Sequence, residues 1–121
     1  MDIKLFEEFI GETIKGSEII AQNKGLSSSE DGSGFIEPNQ EFERVTVPIT
    51  SINNKGEYSW YKRRGLDEDV YMIDRIISKI KSGIMLHPIV VDRSMKILDG
   101  NHRFVAYKKL KFKEIEVYRE I

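Results

Sequence analysis

Residues 96–110, KILDGNHRFVAYKKL, decide the fold. Ile97-Leu98 has the character of a strand end, Asp99-Gly100 is turn chemistry, and from Asn101 onward Phe104, Val105 and Leu110 recur with helical spacing. A strand that passes into a helix through so short a turn marks an α/β junction, with Asn101 as the candidate helix cap.

The flanks extend the pattern. His87-Pro88-Ile89-Val90-Val91 has the apolar run of a buried strand, Asp92-Arg93-Ser94 that of a tight turn, and Met95 to Leu98 forms the hairpin partner. Upstream, Asp67, Glu68 and Asp69 suit a helix start, Val70, Ile73, Ile76, Ile77 and Ile80 line one helical face, and Ser82-Gly83 ends it. Phe42 to Ile49 alternates as a strand, which Pro48 weakens as a central one, and Glu114 to Tyr118 forms a last strand. The order strand, helix, hairpin, helix, strand predicts an α/β (α+β) fold: a small mixed sheet with flanking helices.

Ahead of this lies a different composition. Leu5, Phe6, Phe9, Ile10 and Ile14 predict an amphipathic helix over 2–15, and residues 23–34, NKGLSSSEDGSG, have the makings of a flexible linker. The expected organisation is an acidic N-terminal helix and linker over 1–41 and a domain over 42–121. Residues 1–41 carry three Lys/Arg against nine Asp/Glu, about −6, leaving about +5 for the remainder of a chain whose net charge is −1. A basic second part favours an anionic ligand.

With no cysteine among 121 residues, disulfides, thiolate metal sites and cysteine nucleophiles are excluded. The first residues lack the basic start and apolar run of a signal peptide, and no stretch approaches the roughly 20 apolar residues of a membrane span. A soluble, cytoplasmic protein with no membrane partner is expected.

The turn at 99–103 has its own chemistry. A helix opening directly after a strand presents backbone N–H groups and the positive end of its dipole, which favour an anion. Gly100 permits close backbone approach, Arg103 offers a bidentate clamp for phosphate or carboxylate, and His102 a proton or a further donor. In Tyr58 to Arg64, Trp60 and Tyr61 would stack a base while Lys62, Arg63 and Arg64 meet phosphate.

Pro88-Ile-Val-Val-Asp92, then Lys96 to Leu110 and Ile115 to Tyr118, resemble the ParB N-terminal and sulfiredoxin-like superfamily, whose signature is an apolar "PI-V" strand, a hairpin and a "DGxHR" turn opening a helix. The likeness covers roughly residues 44–121. It implies that Gly100, Asn101, His102 and Arg103 contact nucleotide phosphates, that Asp99 lies near the metal or the transferred phosphoryl group, and that His87 borders the pocket. Nucleoside triphosphate, ATP or CTP, and Mg²⁺ are the implied cofactors. Asn101 stands where sulfiredoxins place their reactive cysteine, which takes sulfinic acid reduction out of consideration.

Three function classes follow. The first is a nucleotide-binding domain, an NTPase or phosphotransferase, with Asp99, His102 and Glu68 as acid/base residues. The second is a nucleic-acid-binding or nuclease module that holds a phosphodiester backbone at the turn and the Tyr58 to Arg64 loop. The third is a non-catalytic interaction protein, phage- or mobile-element-encoded, that docks a protein partner through helix 2–15.

Overall fold

The computed structural model describes residues 13–22, 36–53 and 67–121, the side chains of 67–69 aside. In chain order they form β1 (Thr13–Lys15), α1 (Gly16–Gln22), β2 (Glu41–Pro48), a 3-10 turn (Ile49–Ser51), α2 (Asp67–Lys81), β3 (Ile89–Val91), β4 (Ile97–Asp99), α3 (Asn101–Lys109) and β5 (Glu114–Glu120). The five strands make one mixed sheet in the order β1-β2-β5-β3-β4. β3 runs parallel to β5, with Val90 opposite Tyr118, and the other neighbours are antiparallel. The α/β expectation holds, and every element read from 42 onward is present.

Alternation along the strands gives the sheet two apolar faces. Val47, Ile89, Val91, Ile97, Ile115 and Val117 form one, closed by Phe104 of α3. Phe42, Val90 and Tyr118 form the other, closed by Ile14, Ile19 and Ile36. With both faces covered, β3 is buried at all three residues, which explains its uninterrupted apolar sequence. α2 adds an outer layer: Ile73 is buried against Val105 and Ala106 of α3, with Ile76, Ile77 and Ile80 beside it. Helix α3 therefore lies between the sheet and α2, and each fully buried Ile or Phe contributes about 1.5–3 kcal/mol.

The N-terminal region departs from the sequence reading. Thr13–Lys15 is a strand, not the end of a helix over 2–15, because Ile14 pairs with Phe42 and sinks into the second core. Helix α1 follows where the sequence pattern fades. Its first residues are held by Gly16 N–H to the Gln40 carbonyl at 2.7 Å and Ser17 N–H to the Pro38 carbonyl at 3.0 Å. A Cβ on Gly16 would overlap the Glu37 carbonyl, so only glycine admits this approach. The described part of residues 13–41 thus belongs to the same sheet and core as 42–121, where the sequence suggests an arm ahead of the domain. The remainder of helix 2–15 and the 23–34 linker lie outside the described residues. β2 is also an inner strand, and Pro48 is tolerated because it is the last residue of that strand.

The β3–β4 hairpin is set by Asp92, whose Oδ1 accepts from Ser94 N–H at 2.8 Å, Ser94 Oγ at 2.7 Å and Lys96 N–H at 3.0 Å. A register shift between Val90 and Val91 then brings Asp99 opposite Val90 at the end of β4. There the chain turns into α3. Among the described residues no helix is long and apolar enough to cross a membrane.

Candidate functional site

Where β4 ends, Gly100 turns the chain with φ 110° and ψ 28°, a left-handed conformation that side chains resist. Gly100, not Asn101, is the N-cap, and as a glycine it offers no side-chain cap; Asn101 is the first helical residue. The absent side chain has a second use. A Cβ on Gly100 would lie 2.9 Å from Arg103 Nη2, 3.1 Å from its Nε and 3.0 Å from Ile89 Cγ1. The guanidinium therefore lies back across Gly100, and its Nη2 donates to Asp99 Oδ2 at 2.6 Å.

This ion pair is largely withdrawn from water, with side-chain exposures of 15% for Arg103 and 12% for Asp99. A pair so buried holds its geometry firmly, since breaking it would strand a charge. Arg103 Nε remains a buried donor that meets no acceptor among the described residues. One turn further along α3, burial pushes the Tyr107 phenol upward and the Arg103 charge partly offsets that shift. Tyr107 is therefore a neutral phenol at neutral pH.

A cleft of about 380 Å³ opens onto the turn. It is lined by Asp99, Gly100, Asn101, His102 and Arg103, by His87 from the segment before β3, and by Met72, Ile76, Lys79, Met85 and Leu86. All six candidate residues of the turn and the "PI-V" strand region thus meet in one place. Sequence reading missed the other wall. Met72, Ile76 and Lys79 lie at helical spacing on α2, a stripe adjoining the buried one of Ile73, Ile77 and Ile80. The signal was present in the spacing, but what that stripe faces is a tertiary matter. Glu68 belongs to the first turn of α2, its side chain outside the described residues, and Trp60, Tyr61, Lys62, Arg63 and Arg64 also lie outside them.

The chemistry of the cleft is divided. Met72, Ile76, Met85 and Leu86 give an apolar wall, methionines being suited to irregular or planar ligands. Arg103, Lys79, His102 and His87 add basic side chains to the lining. Among the described residues no three His, Cys, Asp or Glu side chains gather as a metal site. Asp99 is a single carboxylate already engaged by Arg103.

No protein-family model matches the chain, and no curated protein does. Among the solved structures similar to it are two ParB N-domains. One is a crystal form of a Pnob8-like ParB-N domain, at 20% identity and a TM-score of 0.47 over 65% of this chain and 30% of that one. The other is a pNOB8-like ParB N-domain, at 21% identity and a TM-score of 0.43 over 65% of this chain and 27% of that one. Both carry the family name that the resemblance over Pro88 to Tyr118 gives. The chain spans less than a third of the length of either.

Proposed function

We propose that the cleft at the 99–103 turn binds a phosphorylated ligand with an apolar body, of the nucleotide class. The observation that carries this reading is the guanidinium of Arg103, which lines the cleft at the start of α3 and keeps part of its surface exposed there. An oxyanion that meets its exposed edge would gain a charge-assisted hydrogen bond of about 1.5–3 kcal/mol. The positive end of the α3 dipole adds a favourable potential for negative charge, and Lys79 a second cation. The methionine-lined wall would take the base, and the volume falls within the range of small-molecule sites, about 300–1,000 Å³.

A nucleoside triphosphate, ATP or CTP, is the first ligand to test. In an NTPase or phosphotransferase built on this site, His102 would exchange a proton near the phosphates, with Glu68 as the other acid/base residue of that scheme. Mg²⁺ would screen the phosphate charge and would arrive on the nucleotide, since such ions are commonly held by one or two carboxylates plus substrate phosphates.

Titration calorimetry of Arg103→Ala against wild type tests the reading. Loss of the charge-assisted bond should weaken ATP or CTP binding by about 1.5–3 kcal/mol with the fold retained. Equal affinities would remove the phosphate site. If instead a long single-stranded oligonucleotide binds far better than a mononucleotide and its affinity collapses between roughly 50 and 200 mM salt, the ligand is a nucleic-acid backbone.

A further inference from the structure

We infer that Asp99 is the buried counter-ion that positions Arg103, and is neither a metal ligand nor the proton carrier of this site. The inference rests on the proposed phosphate reading for its ligand arm, but not for its geometry. Asp99 is the buried charged residue of the described core, 9% exposed. Its Oδ2 already accepts from Arg103 Nη2 at 2.6 Å. A divalent ion taken up by this carboxylate would have to displace that bond or stand beside a guanidinium of like charge, in surroundings that screen charge poorly. No group of three or more His, Cys, Asp or Glu side chains gathers there among the described residues.

What the pair does well is hold an arginine still. Nη2 is tied to Asp99, and the guanidinium is seated on Gly100, where a Cβ would collide with both Nη2 and Nε. A ligand that meets the exposed edge of Arg103 therefore encounters a side chain whose rotamer freedom is already lost, so that ordering cost falls on folding and not on binding. The carboxylate acts through the arginine. It also offsets the charge of Arg103 at the turn.

The test uses the full chain, with Asp99→Asn as the near-isosteric variant and Arg103→Lys to assign the resonance. Without any ligand, the Arg103 Nε–H signal in a ¹⁵N–¹H spectrum should exchange slowly with water in wild type and about tenfold faster in Asp99→Asn, as the anchor weakens. An unchanged signal overturns the positioning role. Mn²⁺ alone, followed by its paramagnetic resonance, should bind wild type and Asp99→Asn alike; a site lost in the variant makes Asp99 a metal ligand. With ATP as the probe, Asp99→Asn should weaken affinity about tenfold both with Mg²⁺ and with EDTA. Weakening confined to the Mg²⁺ arm overturns the inference. If wild type binds ATP in neither buffer, the nucleotide reading fails, while the Nε–H and Mn²⁺ measurements still decide what Asp99 does.

Discussion

Asp92 and Asp99 differ by seven positions and illustrate two uses of one side chain. Asp99 is buried against a cation, whereas Asp92 is half-buried and bonded to the hairpin it closes. Burial alone would raise the Asp92 carboxyl, but the Ser94 hydroxyl, the Lys96 and Ser94 amides and the Lys96 charge together bring it below its ordinary value of 3.8. A carboxylate lowered on folding stabilises above its unfolded value, and that contribution is lost as pH falls through the lower folded value. Asp92→Asn keeps an acceptor at Oδ1 and removes the charge. Wild type should therefore exceed Asp92→Asn by about 0.5 kcal/mol at pH 6, the low end for a hydrogen bond to a water-facing group. Denaturant titrations at several pH values should show the gap closing below 3.8, and a gap that stays constant down to pH 2 would separate the loss from Asp92 ionisation.

The helices end by the same device with different residues. After α3, Phe112 N–H reaches the Tyr107 carbonyl at 3.1 Å and Lys111 N–H the Lys108 carbonyl at 3.0 Å, the paired bonds of a Schellman stop. The accompanying apolar contact is Tyr107 on Phe112, ring centroids 5.0 Å apart. α2 ends with the equivalent bonds, Ile84 to Lys79 and Gly83 to Ile80, each at 3.0 Å. Gly83 there has φ 81°, whereas Lys111 takes φ 62° with a side chain that disfavours it. Lys111→Gly should raise stability by about 1 kcal/mol, read as a higher denaturation midpoint with an unchanged slope. A lower midpoint would mean that the lysine side chain contributes more than its backbone costs. Between strands, Glu43 sits opposite Arg119 and accepts from its Nε and Nη2, while Arg44 pairs diagonally with Glu116. These pairs reinforce the β2–β5 register that the apolar alternation sets.

At the scale of the whole molecule, the sheet is covered on one face by α3 and on the other by α1 and Ile36. Ile19 of α1 is fully buried. If α1 closes the core as the structure has it, Ile19→Ala should cost about 2–5 kcal/mol, the range for emptying a buried aliphatic site, and circular dichroism melts would register it as a large fall in Tm. A loss below about 0.5 kcal/mol would return residues 13–22 to the status of a detachable arm.

From its sequence alone this chain determined α2, the β3–β4 hairpin, α3, β5 and the turn between β4 and α3, because each is specified by local chemistry. Helical spacing fixes α2, an uninterrupted apolar run fixes β3, Asp92 and Ser94 fix the hairpin, and Gly100 fixes the entry to α3. Tertiary structure alone decided the rest. Thr13-Ile14-Lys15 suits a helix end or a strand equally, and only pairing with Glu41–Glu43 selects the strand. The 7 residues of α1 are too few to be stable by themselves and gain their stability from the core that Phe42, Val90 and Tyr118 provide. In the candidate site, the Gly100 to Arg103 run was legible from its position at a strand-to-helix turn. The Met72–Lys79 wall was not, because which stripe of α2 faces a cleft depends on how the helix rests on α3. Nor was the commitment of Arg103 to Asp99, since a side chain's partner is chosen by burial and by the space a missing Cβ leaves, and neither is written in the order of residues.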